Sequence, residues 1–488
     1  MRARVLAALL VLAGCAARAP IPPPRFPLAA TPKDALAPPP SEPWPEAEPA
    51  LAVSTHRLEN GLTLYVAPRA VHGLTSVAFL SRATAIYDER APPAVTHALA
   101  RLLLRATRVG DRVVDDFLEA EGFRPSVTLT DDGLYVAAVV DAAELPRYLA
   151  ALRTALTSPA LRESDLERVR SDDGERLDAR MSSPYGLLDD RLTSMLYASG
   201  EARAYSLGAW LEDLRTLTRE AIAARHAQLI DASECALVIA GDVDEPEVSA
   251  LAARLFGALA DADGGPSIPA PRYRRAGVRA VGIVRPLMRS YVRLVEAAPP
   301  IGHPDHAAFL VLEQLLGGMF TARLNLALRE RNAASYGLHA RYGASRAAGV
   351  LEIETAVDPA HVAGVLRAIA SELSRMRGEG GAIEPRELAI AKTRARELSM
   401  ARADGALGLA TVLAEEVLAG REPGALLETA RAIERLERAD VEAAARRWLR
   451  PAQAPIAVIG AQHVLQASMR EAGIGAWEIV AAPERRRR

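Results

Sequence analysis

The residues His97-Ala98-Leu99-Ala100-Arg101 occupy a five-residue frame in which a zinc site could be built. In the inverted zinc-binding motif His-x-x-Glu-His, two histidines one helical turn apart bind the metal, and the glutamate acts as general base for a metal-bound water. Here His97 is present, but Ala100 has no carboxylate, and Arg101 is a permanent cation where a neutral donor is required. The frame therefore predicts a helix with a degenerate metal site and no zinc hydrolysis by this chain alone.

Two other segments place reactive residue types close together. The segment "IGHPDH" contains His303, Asp305 and His306, but Pro304 and the tight spacing favour a loop that starts a helix, with Asp305 in a capping position. The glycines of "RGEGGAIEPREL" (377–388) do not follow a strand, so a dinucleotide-binding turn is not expected there. Neither segment is predicted to bind a ligand.

The composition is that of a globular protein without a strong overall electric field. Half of the 488 residues are hydrophobic and a quarter are charged, and the length allows two to four domains. The net charge of -2 gives no basic surface for nucleic acid, so no nucleic-acid partner is expected. The chain has only two lysines, Lys33 and Lys392, which excludes a P-loop.

The N-terminus, "MRARVLAALLVLAGCAARAP", resembles a bacterial lipoprotein signal peptide over residues 1–15. It has early arginines, a short apolar run and small residues before Cys15, and "LAGC" is similar to a lipobox. We expect lipid attachment at Cys15 and a place on the periplasmic side of a bacterial cell envelope. No Asp follows Cys15, which favours the outer membrane; an ordinary secretory leader is the alternative. Cys235 then lacks a disulfide partner and is expected to pack inside a strand.

The rest of the chain divides into two halves that end alike. Residues 16–50 form a Pro/Ala-rich linker, and Asn60-Gly61 predicts a hairpin at the start of the folded body. The segments 217–243 and 436–460 both run from a helix to an apolar strand and a glycine, with an offset of 219 residues (436 − 217). This indicates an internal duplication. We expect one α+β domain over 51–262, a linker over 263–277, a second domain over 278–470 and a tail over 471–488.

At this level of detail the chain resembles the pitrilysin/insulinase (M16) metallopeptidase family, in its two-domain bacterial and mitochondrial-processing form. "LENGLTLYVAP" and "SSPYGLLDDRLTSMLYASG" match a first domain, and "LLGGMFTARLNLALRERNAASYGLHARY" (315–342) matches a second domain more closely. The resemblance implies two homologous α+β domains of the LuxS/metallohydrolase type. Each would be a largely antiparallel sheet flanked by helices, and the two would form a clamp.

The resemblance also implies roles for particular residues. The third zinc ligand of active members belongs in the segment "ERVRSDDGERLDARMSSP", where Glu175 is the nearest glutamate and Asp178 is a second candidate. His97 with either carboxylate would be a vestigial set of two ligands, below the three of a catalytic zinc site. Arg329 and Tyr336 match the arginine and tyrosine that reach toward bound peptide in active members, and they are expected to bind substrate.

The sequence therefore predicts a non-catalytic subunit of a two-subunit peptidase. The chain would bind an extended peptide through Arg329 and Tyr336, while a zinc-bearing M16 homologue would complete a heterodimer and supply the only metal. No cofactor is expected in this chain. The main alternative is a peptidase-derived scaffold or binding protein of the cell envelope with no proteolytic role. A third possibility is an active enzyme with a displaced metal site, for which the sequence shows no ligands in family positions.

Overall fold

The computed structural model describes residues 52–69, 72–105, 108–109, 112–260, 265–274, 277–330, 335–379 and 382–482. Cys15, the linker over 16–50 and the last six residues lie outside this part of the chain.

Strands and helices of the first half build a six-stranded sheet with helices packed on it and a separate two-stranded sheet, β4 with β5. The strands are β1 Ser54–Arg57, β2 Thr63–Pro68, β3 Leu74–Ser81, β4 Arg108–Val109, β5 Arg112–Val113, β6 Ser126–Thr130, β7 Gly133–Asp141 and β8 Cys235–Gly241. The helices are α1 Pro93–Leu102, α2 Val114–Ala120, α3 Leu145–Thr157, α4 Glu163–Ser182, α5 Pro184–Leu196, α6 Leu207–Thr216, α7 Arg219–Leu229 and α8 Glu245–Phe256.

The second half repeats this arrangement. Its strands are β9 Ala280–Val284, β10 Ser290–Ala298, β11 Ser335–Ala344, β12 Gly349–Val357, β13 Ile456–Gly460 and β14 Trp477–Ala481. Its helices are α9 His306–Glu313, α10 Arg323–Glu330, α11 Val362–Met376, α12 Pro385–Ala401, α13 Gly405–Leu418, α14 Ala425–Arg435, α15 Arg438–Trp448 and α16 Gln462–Glu471; a π-helical turn, Gln314–Gly318, continues α9.

The two six-stranded sheets have the same strand order. The first runs β1-β2-β8-β3-β7-β6 and the second, read from the matching side, runs β14-β9-β13-β10-β12-β11. Three strand pairs are parallel: β2 with β8 in the first sheet, and β9 with β13 and β9 with β14 in the second sheet. All other pairs of these sheets are antiparallel. The predicted fold class, two α+β domains with largely antiparallel sheets, is confirmed.

β14 corrects the predicted end of the second domain. It pairs in parallel with β9, from Trp477 opposite Ala280 to Ala481 opposite Val284. The domain therefore extends beyond residue 470, where the sequence predicted a tail. A five-residue strand at a sheet edge, with only one neighbour, has too short a pattern to stand out from a polar tail.

One helix of each half packs on the sheet of the other half. On one face, each sheet carries helices of its own half, which form two separate cores. The opposite face of the first sheet is covered by α13, with Leu409, Leu413 and Val417 against Ala78 and Val238. In return, α5 covers the opposite face of the second sheet. The two halves are therefore joined through these helices.

One helical stretch in the described part of the chain, His306–Leu328, is long and apolar enough to cross a membrane by length and composition. However, 61% of its most apolar window is buried inside the protein, as in a core helix.

Candidate functional site

His97 and Arg101 lie one turn apart on the same side of α1. Pro93 starts this helix, and its buried face, with Val95, Leu99 and Leu102 among its members, packs on the first sheet. The side chains of His97 and Arg101 are 35% and 24% exposed, so the pair lies at the border between core and solvent. Trp210 of α6 packs edge-on against the His97 ring, with 5.4 Å between ring centroids.

The carboxylate that faces this pair belongs to Asp173 of α4. Asp173 is 2% exposed and continues a stripe of buried residues, Leu166, Val169 and Leu177, that packs toward the core. His97 Nδ1 lies 3.2 Å from Asp173 Oδ2, and Arg101 Nε lies 3.5 Å from Oδ1. Arg176 Nη1 donates to Oδ1 over 3.0 Å.

Three neighbouring side chains favour the charged form of Asp173. Burial alone would raise the pKa of this carboxyl, but His97, Arg101 and Arg176 outweigh that effect and hold the pKa below its usual value. Burial also lowers the pKa of Arg101, yet a guanidinium stays charged in proteins. The site at neutral pH is therefore an ion pair between a buried carboxylate and a guanidinium.

This set of residues does not fit a zinc ion. A catalytic zinc needs three protein ligands with lone pairs, whereas His97 and Asp173 are two, and Arg101 has no lone pair to donate. The residues that the structure describes contain no group of three or more His, Cys, Asp or Glu that could hold a metal ion. No zinc-dependent step can be assigned to this site.

Glu175, the predicted vestigial ligand, does not take the place that the sequence suggested. Glu175 and Asp178 are exposed on α4, whereas Asp173, two residues before Glu175, meets His97. The physical signal was present in the sequence: an aspartate at helical spacing from Leu166, Val169 and Leu177 must point to the core. A search for a glutamate overlooks it.

Arg329 and Tyr336 lie at the junction of α10 and β11. Arg329 is the penultimate residue of α10, and Tyr336 is the second residue of β11; the side chains of both lie outside the described part of the structure. Asn325 of α10 connects the described residues on either side of this junction. Asn325 Nδ2 donates to the Met319 carbonyl over 2.9 Å, and Asn325 Oδ1 accepts the Leu338 N–H over 2.8 Å.

The segment "IGHPDH" forms the turn that leads into α9, as expected, but the Asp305 side chain does not cap that helix. It holds the N-cap position of α9 without a hydrogen bond to the helix N-terminus. Its carboxylate instead accepts the Trp448 Nε1–H over 2.8 Å and lies 2.8 Å from Arg447 Nε. His306 Nδ1 pairs with the Tyr342 hydroxyl over 2.9 Å.

The two sheets differ at their corresponding edges, β6 and β11. The open side of β11 is partly closed by Asn325, and Gly317 lies so near that an added Cβ would be 2.6 Å from Ala340 N. β6 pairs only with β7 and lies beside α1. Within the described residues, no contact like that of Asn325 closes the main chain of Val127 or Leu129. Over Val127 and Leu129, the edge of β6 beside α1 is therefore less closed than the edge of β11.

The comparisons with known proteins agree with this fold. Residues 216–395 match the peptidase M16 inactive domain family. The chain is 24% identical over 294 residues to an uncharacterized zinc protease of Streptomyces coelicolor, a match that covers 58% of this chain and 63% of that protein. It is 24% identical over 314 residues to an uncharacterized zinc protease of Mycobacterium leprae, covering 62% of this chain and 69% of the relative. The chain thus spans less than two thirds of the Streptomyces relative.

Solved structures show the same architecture. A peptidase M16 inactive domain from Pseudomonas fluorescens superposes with a TM-score of 0.75 at 19% identity, covering 84% of this chain and 98% of that chain. A protease from Helicobacter pylori gives a TM-score of 0.74 at 18% identity, covering 84% and 99%. The chain shares the fold of these two structures, and its described residues contain no zinc-binding ligand set. Over residues 216–395 the chain is similar to the peptidase M16 inactive domain family, in line with the resemblance that the sequence predicted.

Proposed function

We propose that this chain is the peptide-binding, non-catalytic subunit of a two-chain zinc peptidase of the M16 type. The proposal rests on two features found together: a site that cannot bind a metal, and a strand edge that can accept another strand. Arg101 and Asp173 form an ion pair at the frame in which a metal would be bound, while β6, beside α1, pairs with only one strand among the described residues. Such a chain can hold an extended peptide by main-chain hydrogen bonds, but it needs zinc from another chain to cut it.

The joined domains support a role for a second chain. Because α5 and α13 each cover the sheet of the opposite half, the two sheets cannot separate around a substrate without exposing two apolar cores. A clamp that opens therefore requires a second chain. A zinc-bearing homologue is the partner that would supply the metal. Arg329 and Tyr336 of this chain are the residues proposed to reach the peptide that the partner binds. We further propose that Cys15 carries the lipid that holds the complex at the periplasmic side of the bacterial cell envelope, at the outer membrane.

The test is a peptide-cleavage assay with the zinc-motif homologue encoded in the same genome, alone and mixed with this chain. The proposal expects cleavage to be faster in the mixture and to fall about 10-fold or more when Arg329→Ala and Tyr336→Ala are combined, because each substitution removes a group that binds the peptide carbonyl. Arg438→Ala is a matched control, since the Arg438 side chain is 55% exposed and lies on α15.

Two results would contradict the proposal. Equal cleavage by the homologue with and without this chain would leave a scaffold or binding protein as the function. An equal rate of cleavage in the mixture with and without the double substitution would show that Arg329 and Tyr336 do not contact the peptide.

A further inference from the structure

The buried carboxylate of Asp173 needs a cation, and the chain supplies one from α1. Asp173 is 2% exposed, and leaving such a group charged without a partner is costly. Two arginines approach Asp173 Oδ1, Arg176 from within α4 and Arg101 from α1. Of these two arginines, Arg101 is the one that connects α1 to α4.

The contact between Arg101 and its carboxylates is electrostatic rather than hydrogen-bonded. Its Nε lies 3.5 Å from Asp173 Oδ1, and its Nη2 lies 4.0 Å from Asp172 Oδ2. Both nitrogens are buried and have no hydrogen-bond partner among the described residues. Charge attraction and the packing of its aliphatic stem therefore hold the guanidinium in place.

A metal ion bound at this place would do the same two things. It would neutralise the carboxylate of α4, and it would tie that carboxylate to the donor at the first position of the frame, His97. Arg101 neutralises the carboxylate with a charge that is covalently attached to α1, and this contact ties α4 to α1. The same residue excludes a divalent ion, because two cations would compete for Asp173.

We propose that Arg101 is a built-in replacement for a metal ion, which keeps α1 against α4 through Asp173 and is the residue that closes the site to divalent cations. A histidine at position 101 would lie one turn from His97 on the same face of α1. Together with Asp173 it would complete three ligands, the minimum for a zinc site with an open position. The proposal does not depend on the peptide-binding role of the chain.

The experiment compares metal binding and thermal stability in the full chain and its variants. Wild type, Arg101→His, Arg101→Gln and Arg101→His/Asp173→Asn are titrated with CoCl₂, followed by its visible absorption, and with ZnSO₄, followed by the melting temperature with and without EDTA. We expect Arg101→His alone to bind about one metal ion per chain and to gain thermal stability that EDTA removes. Arg101→Gln should melt about 2–5 °C below wild type, because Asp173 loses its guanidinium partner on α1.

Several results would overturn the proposal. Metal binding by wild type equal to that of Arg101→His would show that Arg101 does not close the site. Equal binding by the Arg101→His/Asp173→Asn variant would show that Asp173 is not the third ligand. A melting temperature of Arg101→Gln equal to that of wild type would show that the cation is not needed.

A further variant covers the case in which Arg101→His does not fold, as judged by circular dichroism. Arg101→Lys keeps the charge but not the planar donor group. The proposal expects its melting temperature to stay nearer to wild type than that of Arg101→Gln. Equal losses in Arg101→Lys and Arg101→Gln would show that shape, and not charge, is what Arg101 provides.

Discussion

Asp132 and Arg346 join the hairpin turns of the two halves. The backbone N–H of Arg346, in the turn between β11 and β12, donates to both carboxylate oxygens of Asp132, at 3.0 and 2.9 Å. Asp132 lies in the turn between β6 and β7, which are the counterparts of β11 and β12 in the first sheet. The contact therefore lies where equivalent parts of the duplicated halves meet.

This contact predicts a pH dependence of stability. Burial raises the pKa of Asp132 to about 6, and the nearby Asp131 adds to the increase, against the opposing effect of the Arg346 amide. The folded state then binds the proton more tightly than the unfolded state. The contribution of Asp132 is fully present below the pKa of the unfolded chain, about 4, and is lost as the pH rises through 6.

The variant Asp132→Asn keeps an acceptor for the Arg346 amide without a titrating group. Between pH 4 and pH 7 the free energy of unfolding of wild type should fall by about 2 kcal/mol relative to this variant, because each pKa unit corresponds to about 1.4 kcal/mol. Urea denaturation at several pH values measures the difference. Parallel pH profiles for the two proteins would show that Asp132 does not titrate in this range.

The exchange of helices predicts that damage in one half destabilises the other. Leu413 of α13 is fully buried against the first sheet, so Leu413→Ala should lower the free energy of unfolding by about 2–5 kcal/mol. Amide hydrogen exchange should quicken in β3, although the substitution lies in the second half of the chain.

The control for Leu413→Ala is Leu398→Ala on α12. The Leu398 side chain is 39% exposed, and its loss should change stability by about 0.5 kcal/mol or less. Faster exchange confined to the second sheet, or two separate unfolding transitions, would mean that the halves fold independently.

The buried thiol predicts chemical inertness. Burial raises the pKa of Cys235 to about 12, and its Sγ lies 3.2 Å from the Leu229 carbonyl oxygen. In a Cys15→Ser background, a thiol reagent at pH 8 should react with Cys235 only after unfolding, because the thiolate is the reactive form. Reaction of the native protein at the rate of the denatured protein would contradict the burial of this strand.

The fold was predictable from the sequence to the level of the duplicated domains, but not to the level of which helix covers which sheet. β8 and β13 are buried along their whole length, as their continuous apolar runs indicate, so both faces of each sheet had to be covered. Nothing in the local patterns of α5 or α13 states which sheet they cover. That choice is made by tertiary packing, in which each apolar helix face fits the opposite half.

The candidate site shows the same division. The sequence identified His97 and the residues that exclude zinc, because the frame is contained within one helix. It did not identify Asp173, which lies 76 residues after His97 (173 − 97) and is brought to it only by the packing of α4 on α1. The roles of Arg329 and Tyr336 remain predictions, since their side chains lie outside the described residues.

The proposed addition of a peptide strand at the edge of β6 predicts how N-methylation changes the affinity of that peptide. A strand edge bonds alternate residues of an added strand, so two peptides of one sequence, N-methylated at odd or at even positions, should differ in affinity. Where the methylated positions face β6, each lost hydrogen bond should cost about 1 kcal/mol, or roughly 5-fold in Kd. The peptide methylated at the other positions should bind like the unmethylated peptide.

Hydrogen exchange locates the edge that the peptide uses. Bound peptide should protect the amides of β6, including Val127 and Leu129, and leave those of β11 unchanged, because Asn325 already accepts the outward N–H of Leu338. Measuring the unmethylated peptide with this chain alone and with the zinc-bearing partner added distinguishes peptide binding from peptide cleavage. Protection of β11 in place of β6 would move the peptide site to the second sheet, and equal affinities for the two methylated peptides would exclude strand addition at either edge.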